Sequence, residues 1–509
     1  MSSNIPSKEK LSDMIKYSIA TTDSSQFLNT EIVQIPANNS SGTFSALAGN
    51  EIIFDNFGTS SSDQFINHDE SYFRFNLQVT GTNASSVILP GAYETVFDQA
   101  YFETRAGVRI DQQFNISDLT NFLYSHATNK QYRNSSGQLY NLGDKIPARY
   151  GIEGTGYNPF TVGNEGIVVD VTSGVIPSGT VQGIGAGTYV QRDASEQMQL
   201  QQNLSSSTGM TVIMKPSFLP LLSNNNSLMP GGMGPLKLVL RLARNPNEVL
   251  CYPGAKYGAF YNSGAILPSP SGTFVPNTST SPSNGSPDSG VATVLLANGL
   301  DIKISNVVYM AKVYKVSPAV LARTDALMRE QKLIMYYDSY FFFQTYIQAG
   351  SSVMFEIRKA VSNAKSFVWS LTPSVNDNNL DVDPSYREPV SRFQSYQMLI
   401  GTELVPRQPI TNVAELFQHS QEGWNQHGSI DHWAQSMYEW ANEKGWIVTN
   451  LDKDKNSELC GVSSITNPLF QVNIPVLSAQ LQQQYTARGF LLHTKSITAG
   501  MDGNAIVSE

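Results

Sequence analysis

Three groups of polar residues in this 509-residue chain have types and spacings that chemistry could use. Asp452, Asp454 and Asn456 set side-chain oxygens at every second residue, as the opening ligands of a calcium loop do. His419, His427 and His432, with Asp431, gather imidazoles and a carboxylate of the kind that bind zinc or move protons. Gly183–Thr188 (GIGAGT) is a glycine run whose backbone could approach a phosphate. Each fails a further requirement. Ser457 stands where the calcium loop needs its turn glycine and Ser463 where it needs a bidentate glutamate, which leaves only a weak surface cation site. Histidine spacings of eight and five force no convergence, so solvated or locally hydrogen-bonded rings explain them better. The glycine run has the wrong spacing for a dinucleotide fingerprint and reads as a flexible loop. GxSxG, HExxH and any Gly-Lys dipeptide are absent, and no two carboxylates stand out as an acid/base couple. Cys251 and Cys460 match no metal or redox spacing and imply no disulfide framework. The expectation is a protein without catalysis, metal or cofactor.

The elements around these residues are mostly strands. Apolar residues make up 40% of the chain and charged ones only 15%, so polar turns rich in Gly, Pro, Ser, Asn and Thr carry the surface. A net charge of −9, a pI near 5.3 and the lack of any basic run argue against sequence-specific or wrapping contact with nucleic acid. The first residues lack the order of a signal peptide, and no apolar run approaches the roughly 18 residues that span a bilayer. A soluble protein made in a cytosol is expected. Phe73, Phe75, Leu77 and Val79 alternate with polar residues, as do Leu236, Leu238, Leu240 and Leu242 with Lys237 and Arg241. Period two marks strands with one buried face. Further strands are expected at 51–57, 166–171, 209–214, 301–308, 336–348, 353–361, 393–399, 470–474 and 489–494, which together indicate antiparallel sandwiches.

Helices are few. Leu11, Met14, Ile15 and Ile19 share one face of a helix over 8–20, either docked on its own domain or free to meet a partner or membrane surface. Ser317-Pro318 opens a helix running to about Gln331, and another region follows Thr411, breaks at Gly428 and continues from Ser429 to Lys444. There Trp433, Met437 and Trp440 share a face that reads as core. Long irregular insertions at 126–208 and 262–291 read as loops at one end of the sandwich.

The chain also repeats itself. Gly107–Ser125 and Gly401–His419 align without a gap at an offset of 401 − 107 = 294. In each, a strand follows the glycine and a short helix opens on a Ser/Thr or Asp/Asn cap. The alignment places Ile116 on Ile410, Asp118 on Asn412, Leu119 on Val413 and Phe122 on Leu416. The expected organisation is an arm at 1–28, a first β domain at 29–316, a linker helix at 317–332 and a second β domain at 333–509 with a helical insertion at 411–445.

Several stretches carry a likeness to a known family. These are EIVQIPANNSSGTFSALAGNEIIFDNF (31–57), ESYFRFNLQVTG (70–81), the repeated strand-and-helix unit, YYDSYFFFQTYIQAGSSVMFEIRKAVSNAKSFVWSL (336–371), SRFQSYQMLIGTELVPRQPI (391–410) and QQQYTARGFLLHTKSI (482–497). In them the chain resembles the double jelly-roll major capsid proteins of icosahedral double-stranded DNA viruses, most closely those of virophages. The resemblance implies an all-β fold of two tandem eight-stranded antiparallel jelly rolls with a few short helices and long loop insertions. It further implies a homotrimer whose six lobes fill a hexagonal position in a virion shell assembled in the host cytoplasm. Neighbouring trimers, minor or penton capsid proteins and an internal membrane are the implied partners, with Leu11, Met14, Ile15 and Ile19 as an inner-face contact arm. A virion spike or carbohydrate-binding jelly roll is the alternative, for which Tyr150, Tyr157 and Tyr189 in the insertions would serve as contact aromatics.

Overall fold

The computed structural model describes residues 27–57, 63–127, 139–141, 204–250, 266–276, 300–374, 384–424, 437–452, 461–476 and 484–508, apart from short breaks within these spans. Strands dominate. The first lobe is built from β1 (Phe27–Pro36), β2 (Thr43–Ser45), β3 (Glu51–Phe54), β4 (Gln64–Thr80), β5 (Phe97–Thr104), β6 (Arg109–Phe114), β7 (Met210–Met214), β8 (Leu228–Pro230) and β9 (Leu236–Leu242). A hairpin of β10 (Ile266–Pro268) and β11 (Phe274–Pro276) lies within the stretch read as irregular, and β12 (Asp301–Val316) completes the lobe. The second lobe has β13 (Leu333–Ile347), β14 (Ser352–Arg358), β15 (Ala364–Pro373), β16 (Tyr396–Ile400), β17 (Glu403–Ile410), β18 (Ile447–Asn450), β19 (Leu469–Pro475), β20 (Tyr485–Ala499) and β21 (Ala505–Ser508).

The same wiring occurs twice. In the first lobe the long strands pair as β1-β12-β4-β7 and the shorter ones as β3-β9-β5-β6. In the second they pair as β13-β20-β15-β18 and β14-β19-β16-β17. Counting only these eight principal strands in chain order, each lobe has one sheet ordered 1-8-3-6 and one ordered 2-7-4-5, the wiring of a jelly roll. Every pairing is antiparallel, and β2, β8 and β21 add short flanking strands. Between the sheets of the first lobe pack Phe54, Phe57, Phe73 and Tyr309, with Phe57 and Tyr309 ring centroids 4.5 Å apart. The second lobe is filled by Phe343, Phe367, Trp369 and Phe470.

The helices take equivalent places. α1 (Ile116–Ala127) follows β6, and α4 (Val413–Trp424) follows β17; α2 (Pro220–Ser223) is a single turn. α3 (Pro318–Arg329) joins β12 to β13, with Pro318 at its first position and no side-chain bond from Ser317. α5 (Met437–Asn442) buries Trp440 completely while Met437 is 47% exposed, so Met437 leaves the expected core stripe. Trp433 lies outside the described residues, as do 166–171.

The gapless repeat holds for the strands but not the helices. β6 and β17 begin at Arg109 and Glu403, still offset by 294, after Gly107 and Gly401, which both hold positive φ. The helices begin at Ile116 and Val413, an offset of 297. A bulge in β17 accounts for the three residues. Met398 faces Val405 and Tyr396 faces Ile410, so Gln397 alone opposes Pro406–Pro409, and its amide donates to the Pro406 and Arg407 carbonyls at 3.0 and 3.1 Å. Consequently Asn115 and Asn412 precede the two helices, and the side-chain oxygen of Asn412 accepts from the Ala414 N–H at 2.8 Å. Asp118 therefore corresponds to Glu415 and Phe122 to His419, correcting the residue pairs of the gapless alignment.

Candidate functional site: the seam between the lobes

The most built-up constellation of the described residues joins the lobes. β6 and α1 of the first lobe lie on the outer face of the long-strand sheet of the second. Inside that lobe β15 faces its core with Phe367, Trp369 and Leu371. The alternate residue Val368 faces outward, flanked across the sheet by Phe490, Phe342 and Val448. This outward row is apolar, and α1 covers it. Leu119 and Phe122 are wholly buried there with Trp424, Trp446 and Phe490. The Phe122 ring stacks on Trp424 at 4.4 Å and meets Trp446 edge-on at 5.3 Å.

Polar groups fix how α1 sits. Asp118, in the first turn of α1, takes the buried guanidinium of Arg387 on one oxygen and Arg488 on the other at 3.4 Å. Asn115 donates to the same carboxylate at 2.6 Å. Burial alone would raise the Asp118 pKa, but the two arginines and Asn115 hold it below the usual carboxylate value. Arg387 also donates to the carbonyls of Pro384 and Tyr386 at 2.8 and 2.7 Å and lies 4.8 Å over the Trp446 ring. At the β6 end of the seam, Ser339 donates to Asp111 at 2.7 Å and Tyr337 to the Ile110 carbonyl at 2.6 Å. Burial pushes the Asp111 carboxyl up, with Lys495 opposing that shift. Further along α1, the Tyr124 hydroxyl donates to Glu94 at 2.9 Å, and Ser217 adds a weaker contact at 3.4 Å. Desolvation raises Glu94 to about 7.

None of this chemistry is catalytic in form. It ties two sandwiches together. A buried ion cluster of this kind contributes specificity of position more readily than net stability, because desolvating the charges offsets much of their attraction.

The residues singled out by spacing fall elsewhere. His419 lies in α4 with its ring 6.1 Å from Tyr396, and burial lowers its pKa. His427, Asp431 and His432 lie outside the described residues, as do Asp454, Asn456, Cys251, Cys460, Gly183–Thr188, Tyr150, Tyr157, Tyr189 and the arm residues Leu11, Met14, Ile15 and Ile19. Asp452 is described, its N–H donating to the Asn450 side chain at 3.0 Å. Among the described residues no group of three or more His, Cys, Asp or Glu could hold a metal ion. Sequence reasoning took Asp118 as a helix-cap residue and passed over Arg387 and Arg488; an acid in the first turn looks the same whether it caps a helix or ties it to another domain.

No family model matches the chain, and no curated protein matches it by sequence. Solved structures do. A chain of the Sputnik virophage structure aligns at a TM-score of 0.53 and 10% identity, covering 96% of this chain and 89% of that one. A chain of the PBCV-1 virus capsid aligns at 0.50 and 10%, covering 96% and 99%. With the strand order of both sandwiches, these likenesses establish that the chain has the double jelly-roll fold.

Proposed function

We propose that the protein is a major capsid protein that trimerises into pseudo-hexagonal capsomers and tiles the icosahedral shell of a DNA virus. The observation that carries this reading is the seam. It is head-to-tail: the helix side of one lobe meets the sheet face of the next. A contact of this kind, repeated between copies, closes into a ring when its rotation is a simple fraction of a turn. Two lobes per chain and three chains give six positions. The structural likeness to the PBCV-1 virus capsid chain supports the same reading. On it the chain has no catalytic role, and its location is the virion, after assembly in host cytoplasm.

The arm at 1–28, the first lobe at 29–316, the linker helix at 317–332 and the second lobe at 333–509 are assigned as the working domains of this capsid unit. We assign Leu11, Met14, Ile15 and Ile19 to contacts on the inner face, with minor or penton proteins or an internal membrane. Mass measurement of the purified chain tests the reading. A particle near 3 × 55.8 = 167.4 kDa that forms hexagonal plates or shells under the electron microscope is expected. A chain that stays monomeric at every concentration and salt overturns it. Deleting residues 1–20 is expected to leave the trimer intact and impair shells; loss of the trimer would instead make the arm part of the folded unit.

A further inference from the structure

The seam satisfies only half of each lobe. The first lobe's long-strand sheet has an outer face with no partner in the described residues, and so has the solvent side of α4 on the second lobe. The uncovered sheet face sets positive charge among apolar residues, unlike its counterpart row, which holds no charge. Phe73, Phe75 and Tyr309 point into the core, so Arg74 and Val308 between them point out, in a row with Pro36 and Ile213. Four residues along β12 stands Lys312, paired with the half-exposed Ile32. Lys303 lies toward the other end of β12. No ion pair reaches Arg74, Lys303 or Lys312 within the described residues.

One acid, Glu70, stands beside Lys312 and accepts from Tyr314 at 2.9 Å, so the face is basic in balance, whereas the uncovered side of α4 is acidic throughout. Glu415, Gln418 and Glu422 are exposed along it, while Leu416, Ser420 and Trp424 turn inward. Glu415 occupies in α4 the third position that Asp118 occupies in α1, so the acid that ties α1 to two arginines has a counterpart in the second lobe. Glu415 and Glu422, seven residues apart, are separated by about 10 Å along a helix. Arg74 and Lys312, four residues apart in register, are separated by about 13 Å along a strand. The spans match.

We infer that the acidic side of α4 in one copy docks on the Arg74–Lys312 face of the first lobe in a second copy, repeating the seam between chains with exposed charge pairs where the seam has aromatic rings. The inference rests on the head-to-tail reading above and adds to it which surfaces meet and by what force. Its consequence is an asymmetry of strength. The joint inside the chain is buried and insensitive to salt, whereas the joint between chains is steered by solvated charges and weakens as salt rises.

Charge reversal tests it. The full chain and the variants Glu415→Lys/Glu422→Lys and Arg74→Glu/Lys312→Glu are compared by analytical ultracentrifugation across salt, with circular dichroism as the check on folding. Each reversal is expected to weaken self-association by about 100-fold, the effect of several like-charge contacts, and to remove most of its salt dependence. A chain carrying all four reversals is expected to recover self-association, because its two faces are again opposite in charge, whereas mixing the two reversed chains is not, since a head-to-tail ring of three places two like copies in contact. A wild-type trimer that neither reversal weakens overturns this inference and leaves the capsid reading standing. A wild type that never associates overturns the capsid reading itself. Hydrogen exchange covers the remaining occupant: protection of β1 and β12 that depends on residues 1–20 rather than on concentration assigns the face to the arm and overturns the inference.

Discussion

The two long-strand sheets share one wiring and present opposite outer faces. In the second lobe the row Phe342–Phe490–Val368–Val448 lies under α1, and β15 is buried on both sides as a result. In the first lobe the row Pro36–Val308–Arg74–Ile213 carries a guanidinium, and the edge strand β1 exposes Leu28 and Ile32 at 57% and 54%. Identical topology thus produced one face that is core and one that is surface. The face held against its own chain is apolar, as permanent burial favours. The face proposed to meet another chain reversibly has reason to keep charge, since hydrophobic burial alone gives contacts that do not discriminate among wrong partners.

The sharpest way to break this comparison is to empty the seam of its anion. Asp118→Ala removes the carboxylate that Arg387 and Arg488 share and is expected to cost about 3–5 kcal/mol in denaturant unfolding. A loss under about 1 kcal/mol would mean that the arginines find other partners and that the ion cluster does not position the lobes. Phe122→Ala follows, at about 3 kcal/mol or more, from the cavity left between Trp424 and Trp446. His419→Ala, at the corresponding place on α4, is expected to cost about 1 kcal/mol or less in the isolated chain. Equal losses at the two sites would erase the asymmetry between the helices.

The pH dependence has two signs. Asp118 has a lowered folded-state pKa, so its stabilisation is present above the ordinary carboxylate pKa and is lost as pH falls through the lower folded value. Glu94 has a raised one, so the stability linked to it is present below 4.5 and is lost as pH rises through about 7. Glu94→Gln is expected to flatten the pH profile of unfolding between those values and to leave the acid limb, set by Asp118, in place. An unchanged slope would show that burial does not raise the Glu94 carboxyl. The smallest effect belongs to the uncovered face: Arg74→Ala is expected to change the stability of the isolated chain by no more than about 0.5 kcal/mol. A larger loss would give Arg74 a structural partner within its own lobe.

Much of this fold was legible in the chain. Alternation over Phe73–Val79 and Leu236–Leu242 is strand period two, and it located β4 and β9 because each has one wet face and one dry face. Gly107 and Gly401 announced equivalent turns, since both sit at positive φ where other residues are strained. Where a strand is buried on both sides the signal fails. β15 was missed because the seam buries even its outward Ser366, Val368 and Ser370, so no alternation remains to read. The helix offset failed for a different reason. Three extra residues are absorbed by a bulge opposite Gln397, and letters alone do not show whether an insertion widens a strand or lengthens a helix.

The amino-acid sequence by itself determined the class of the fold, the tandem duplication and the lack of any standard catalytic motif, because these depend on periodicity and residue type over short windows. Only the tertiary structure decided that Asp118 meets Arg387 and Arg488, 269 and 370 residues away along the chain. It alone decided that Glu415 is the counterpart of Asp118, and which of two like sheets is covered. Those facts depend on how a helix in one sandwich is seated on the face of another, and no local pattern encodes that placement.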